Sequence, residues 1–198
     1  KHTGAQVGNG DELNGITFSG VGSGTVVNNL QVYSTFDDGI EMFGGSVNFT
    51  NLLALYVRDD SIDIDEGYNG TITNALVVQA AADGNHCIES DGIGSYGDLD
   101  QATRDDFIAR GLNSAPTINN LTCIISANVP GTHDPGAGWR FREGIHPVVN
   151  DSLVISSFGP NNQDAADDNY CLRIDNVETT EAAINGSLNR TPAIYSSQ

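Results

Sequence analysis

The chain has 198 residues, 8 Lys and Arg against 26 Asp and Glu, a formal charge of −18 and a pI near 4.1. That balance argues against nucleic acid and anionic membranes as partners, and no apolar run approaches the roughly 20 residues needed to cross a bilayer, so no membrane insertion is expected. Twenty-three Gly with one Met, one Trp and 17% charged residues is a poor composition for a helix bundle and a good one for an all-β chain with a single core.

In chain order, the opening residues 1–11 read as a partial coil. A strand then occurs at Gly15-Ile16-Thr17-Phe18 and returns as Gly39-Ile40-Glu41-Met42, Ser61-Ile62-Asp63-Ile64 and Cys87-Ile88-Glu89-Ser90, at spacings of 24, 22 and 26 residues. Arg140-Phe141-Arg142-Glu143 and Cys171-Leu172-Arg173-Ile174 keep the same apolar and polar places. Between these copies lies a second strand beginning with Asn: Asn29-Leu30-Gln31-Val32, Asn51-Leu52-Leu53-Ala54, Asn74-Ala75-Leu76-Val77, Asn120-Leu121-Thr122-Cys123, and Asp151-Ser152-Leu153-Val154 as a fifth. Period-two alternation puts Leu30, Leu52, Ala75 and Leu121 on one inward face.

Hairpins have no reason to repeat one sequence at about 23 residues, whereas a solenoid needs that length to turn once around its core. The expected fold is therefore a right-handed parallel β-helix of about six coils over residues 12–176, stacked at about 4.8 Å. The Asn residues should stack at one corner, each in a turn conformation and bonded to its copy in the next coil. Residues 98–110 should form a surface helix inside an insertion of about twenty residues between Ile88 and Leu121. Residues 177–198 should form a C-terminal cap or tail, with Glu178–Gly186 helical. The whole is one domain. A start at Lys1 with no signal peptide suggests a processed piece of a longer secreted protein. Cys87 and Cys171 should share an outward column, and Cys123 should be a small buried hydrophobe; three scattered cysteines make no disulfide framework.

The insertions would bank a groove over the first strand column. Its floor reads Thr17, Glu41, Asp63, Glu89, Arg142, Arg173, flanked by Ser19, Phe43, Asp65, Asp91, Gly144, Asp175. Stacked carboxylates repel and call for a cation or a paired base. Glu41, Asp63, Asp65, Glu89 and Asp91 offer the hard oxygen ligands and loose geometry that suit calcium, the one cofactor expected. Alternatively, acids followed by bases form a charge-paired stripe that keeps the rod soluble. Register places Glu143 inward, as a buried carboxylate needing a partner. Glu89 would contact substrate, and Trp139, Phe43 and Tyr96 could stack on sugar rings. His86 and His146 lie near the groove ends and read as surface residues; His2 and His133 fall in loops.

Through Glu12-Leu13-Asn14-Gly15, Asp37-Asp38-Gly39-Ile40-Glu41-Met42-Phe43-Gly44-Gly45, Arg142-Glu143-Gly144 and Cys171-Leu172-Arg173-Ile174-Asp175, the sequence resembles the pectate-lyase-like right-handed β-helix superfamily. It looks closer still to a group of secreted bacterial β-helix proteins that carries no settled activity. The likeness covers most of residues 12–175. It implies a secreted or cell-surface protein, with polysaccharide as the partner. In the lyase pattern, outward acids hold calcium against a uronate and an arginine removes the proton α to its carboxylate. By column, Glu41, Asp63 and Glu89 stand for the acids, and Arg173 or Arg142 for the base, with Glu143 a further catalytic candidate. A hydrolase using Asp63, Asp65 and Asp91 is the neighbouring alternative. The acidic balance weighs against an enzyme on an anionic polymer, so the leading expectation is a non-catalytic module that binds carbohydrate, calcium or both, or acts as a spacer.

Overall fold

The computed structural model describes residues 4–8, 12–80, 84–126, 136–156 and 170–184. Strands β1 (Ile16–Ser19), β3 (Ile40–Phe43), β5 (Ile62–Asp65), β7 (His86–Asp91), β9 (Ala137–Arg142) and β12 (Leu172–Ile174) form one sheet in that order. Strands β2 (Val26–Tyr33), β4 (Asn48–Leu55), β6 (Thr71–Val78), β8 (Thr117–Ile125) and β10 (Val148–Asn150) form the other, and β11 (Leu153–Ser156) also pairs with β8. All these pairings are parallel, and consecutive strands alternate between the two sheets except β10 and β11, which both pair with β8. The repeat is therefore written into the stacking: Ile16, Ile40, Ile62 and Ile88 are successive register partners.

The Asn column forms as its chemistry predicts. Asn29, Asn51, Asn74 and Asn120 have φ of 55°, 60°, 57° and 55°, the left-handed region that Asn tolerates better than other L residues, and each bends its strand of the second sheet. Each Nδ2 donates to the Oδ1 of the copy before it: Asn51 to Asn29 at 3.0 Å, Asn74 to Asn51 at 3.2 Å and Asn120 to Asn74 at 2.8 Å. Asp151, φ 47°, takes the same place between β10 and β11.

The core lies between the sheets. Ile40, Met42, Ile62, Ile64 and Ile88 face Phe49, Leu52, Ile72, Val77 and Leu121, all at 2% exposure or less. Trp139 and Phe141 fill the core slots opposite Ile88 and Ser90. The expected register at this strand is thus two residues out. Arg140, not Arg142, follows Glu89 in the outward column, and Arg142, not Gly144, stands beside Asp91. The slip arises because Trp139 and Phe141 are both large and apolar, so a shift of two preserves the alternation that sets the register. Trp139 is a core residue at 1% exposure, its indole N–H donating to Cys123 Sγ at 3.1 Å, and offers no sugar platform.

Glu143 is not inward either. It sits at φ 58°, half-buried, at the corner after β9, in the place that Glu66 takes after β5. Its backbone N–H donates to Asn176 Oδ1.

Cys87 turns inward and is disulfide-bonded to Cys123, Cα to Cα 6.1 Å, tying β7 to β8. It immediately precedes Ile88, as Gly39 precedes Ile40 and Ser61 precedes Ile62, at the corner end of β7. A Cβ on Gly39 would come within 3.1 Å of Val32 and Val57, so this corner place points into the core and period-two alternation does not carry across it. A cross-link closing 36 residues removes roughly 3–4 kcal/mol of unfolded-chain entropy. Cys171 is unpaired and half-buried.

Two helices interrupt the strands. Asp100 caps α1 (Gln101–Ala109), accepting from the Thr103 N–H at 2.8 Å, and α2 (Val177–Ile184) follows β12. They meet through Glu178, which accepts from Tyr96 Oη at 2.5 Å and from Gln101 at 2.8 Å. Parts of the expected opening coil (1–3 and 9–11) and of the C-terminal cap (185–198), with His2 and His133, lie outside the described residues. No described helix is long and apolar enough to cross a membrane.

Asn74 tests the ladder. Asn74→Ala should lower unfolding free energy by roughly 1–2 kcal/mol, because Ala is strained at positive φ and two bonds are lost. Asn74→Gly, which relieves the backbone, should lose about half as much. Equal losses in urea titrations of the two variants would refute the backbone part.

Candidate functional site

The outer face of the first sheet carries two columns. One runs Thr17, Glu41, Asp63, Glu89, Arg140, Arg173; the other contains Ser19, Phe43 and Asp65, then Asp91 beside Arg142. The face divides into two electrostatic halves.

In the arginine half, every acid is paired. Glu89 accepts from Arg140 at 3.0 Å and lies 3.3 Å from Arg142. Arg142 grips both oxygens of Asp91, one bond at 3.0 Å. Asp175 accepts from Arg140 at 3.1 Å and Arg173 at 2.9 Å. Burial raises the Asp175 carboxyl, but the bonds from Arg173 and Arg140 outweigh it and hold it below the usual range. Burial likewise works against the charge of Arg142, yet its bond to Asp91 and the Glu89 charge raise it further above its already high value. A guanidinium held that way is no proton acceptor, so Arg142 does not fit the expected base. Glu89 and Asp91, expected as calcium ligands, are committed to arginines.

In the carboxylate half none of Asp38, Glu41, Asp60, Asp63 and Asp65 forms an ion pair with Lys or Arg among the described residues, and Arg142 acts on Asp65 only through its charge. Ligand-capable oxygens of Glu41, Asp63 and Asp65 lie within 4.8 Å of one another, and those of Asp38, Asp60 and Asp63 do the same. Asp63 is 8% exposed, and its Oδ1 is buried without a hydrogen-bond partner. Glu41 accepts from Asn14 Nδ2, while Asn14 Oδ1 is a second buried acceptor lacking a donor. Burial raises Glu41 to about 7, the Asn14 bond opposing and Asp37 and Glu66 adding. Burial also raises Asp65 to about 7, helped by Asp91 and Glu41. Asp63 is pushed well above its ordinary value by burial, then by Asp65, Asp38 and Asp60. Three converging carboxylates, one with a buried unbonded oxygen, are a donor set of the kind a hard divalent ion takes. Of the expected calcium ligands, Glu41, Asp63 and Asp65 fit.

Behind them stands a column that the sequence displays in its Asp-Asp pairs. Asp38 Oδ1 accepts the Asp60 backbone N–H at 3.1 Å, and Asp60 Oδ1 accepts the His86 N–H at 2.6 Å. His86 holds the place of the second Asp in Asp59-Asp60-Ser61-Ile62, so aligning Asn85-His86-Cys87-Ile88 beneath it reveals the column. His86 is 5% exposed, not a surface residue. Its Nδ1 meets Asp60 Oδ1 at 2.8 Å and its Nε2 meets the Tyr170 hydroxyl at 2.7 Å. Burial lowers His86 to about 4, Glu89 opposing, so the imidazole is neutral. Burial, then Asp60 and Asp59, raises Asp38 to about 10.

The expected platforms divide. Phe43 lies half-buried on the outer face next to Asp65. Tyr96 is buried, with the Arg104 guanidinium 3.8 Å over its ring and its hydroxyl spent on Glu178, so it braces the insertion rather than offering a sugar face.

Stacked parallel sheets fed by alternating strands define the β-helix class. The sequence model of the pectate-lyase-like beta helix domain matches residues 1–193, and the chain belongs to that family. Neither a curated protein nor a solved structure matches it.

The raised carboxylates set a pH dependence. Unfolded, Glu41 and Asp65 ionise near 4.5 and 3.8; folded, near 7. Between those values the native state binds more protons, so stability should fall as pH rises from about 4 to about 7. Urea midpoints in chelator should be lower at pH 8 than at pH 5, and Asp65→Asn should flatten the slope. A midpoint that rises over this range would contradict the assignment.

Proposed function

We propose that this chain is an extracellular module, wound as a right-handed solenoid of about six coils, that binds polysaccharide along the outer face of its first sheet with a calcium ion held by Glu41, Asp63 and Asp65. The observation that carries the reading is Asp63 Oδ1, buried and unbonded between two other carboxylates. An acceptor left so in a low-dielectric site costs about 1–3 kcal/mol, and a cation removes that cost. Family membership supports a carbohydrate-related role. The bonded Cys87–Cys123 pair supports an oxidising compartment. Phe43 beside Asp65 gives a ring that can lie against a sugar whose hydroxyls or carboxylate complete the ion's coordination.

Calcium should raise the melting temperature of chelator-treated protein. At a concentration 100 times the dissociation constant the gain is about 2.7 kcal/mol, and Asp63→Asn should abolish it. Retardation in gels cast with soluble polysaccharides should require calcium for at least one glycan. Identical melting with and without calcium would sink the reading.

A further inference from the structure

Five carboxylates crowd the acidic half, and one divalent ion at Glu41, Asp63 and Asp65 engages three of them, leaving Asp38 and Asp60 grouped with the shared Asp63. Asp38 and Asp60 are 7% and 4% exposed, and neither has an ion pair with Lys or Arg among the described residues. The charged-type neighbours of Asp60 are His86, which burial keeps neutral, and the Glu89 carboxyl, a like charge. Asp38 and Asp60 each use Oδ1 to accept a backbone N–H. Asp63 belongs to both carboxylate groups.

We propose that Asp38, Asp60 and Asp63 hold a second divalent cation, behind the first, with Asp63 bridging the two. The proposal rests on the calcium reading of the outer group and adds an inner site to it. Two ions reduce the residual charge of the five carboxylates to one. Asp63 can serve both because a carboxylate offers two oxygens with about four lone-pair sites, and Oδ1 is unspent. The inner ligands are oxygens only. His86 cannot join them, since Nδ1 is engaged by Asp60 and Nε2 by Tyr170. An all-oxygen set selects a hard ion such as calcium over zinc or copper. The chain Tyr170, His86, Asp60 then acts on the inner ion from outside its ligand shell. An ionised Asp60 can only accept, which makes Nδ1 the donor to Oδ1 and Nε2 the acceptor from Tyr170; the pair fixes the orientation of the Asp60 carboxylate.

The test is stoichiometry, read without any glycan. Calcium titration of chelator-treated full-length chain by calorimetry, with native mass spectrometry as a count, should give two ions in wild type. Asp38→Asn keeps an oxygen to accept the Asp60 N–H and should leave one ion; Asp65→Asn should leave the other. His86→Gln should keep both ions but weaken the inner one about 10–100-fold. One ion in wild type, or two in Asp38→Asn, overturns the inner site and spares the outer one. No ion at all overturns both. Far-ultraviolet circular dichroism checks that each variant is folded, and Asp38→Glu, which restores the charge, should recover part of the lost binding if ligation rather than folding was affected.

Discussion

Every feature of this chain is constrained by parallel strands stacking in register at about 4.8 Å, so that a residue's nearest neighbours are its counterparts in the rungs above and below. A residue type is admissible in a column only if it tolerates its own copy at that distance. Isoleucine does so through packing, as the Ile40, Ile62 and Ile88 series shows. Asparagine does so because its amide is both donor and acceptor, and each copy completes the next. Carboxylates do not. A row of Glu41, Asp63 and Glu89 is admissible only with something cationic beside it, and the chain supplies that for Glu89 and withholds it from the other two.

That division gives the outer face its polarity. Where Arg140, Arg142 and Arg173 enter, the acids find partners at hydrogen-bond distance and the charges close on themselves. Such a network fixes side chains and holds the Arg142 guanidinium and the Asp175 carboxylate in their charged forms. Where the arginine pairs stop, burial pushes Glu41 and Asp65 to about 7 and Asp38 to about 10, against the Asn14 bond to Glu41 and the Arg142 charge on Asp65. Groups displaced so far by desolvation and like charge mark functional places more often than structural ones, because a sequence under selection for stability alone would replace them. Neutral Asn or Ser would satisfy the same backbone bonds that Asp38 and Asp60 accept, at lower electrostatic cost.

Much of this was legible in the sequence because stacking converts spacing into contact. The Ile copies from Ile16 to Ile88 and the Asn copies from Asn29 to Asn74, at intervals of 22–26 residues, identify their columns directly. What failed to read out has three physical sources. At β9, two adjacent apolar slots made registers two residues apart equivalent to a binary pattern, and only the fit of Trp139 opposite Ile88 separates them. At corners the backbone turns, so alternation misassigns Cys87 and Glu143: one faces the core to meet Cys123, the other occupies a left-handed corner. The third is substitution within a column. His86 replaces an Asp, and its role is visible only when the alignment of the rungs on Ile40, Ile62 and Ile88 is carried two residues back to the corner.

The corner column also explains how distant parts of the chain meet. Its places are Asp38, Asp60, His86 and then Ala137, the register partner of His86. Ala137 puts only a methyl group at that fourth rung, and Tyr170, two residues before the Leu172 that pairs with Trp139, tilts its ring 39° from the imidazole at 5.9 Å and reaches Nε2 through its hydroxyl. A larger side chain at 137 would fill the gap and separate the tyrosine from the histidine. One small residue thus lets a hydroxyl from β12's rung orient an imidazole two rungs away, and through it a carboxylate one rung further. In a solenoid, where each rung otherwise feels only its neighbours, coupling across three rungs requires such a gap.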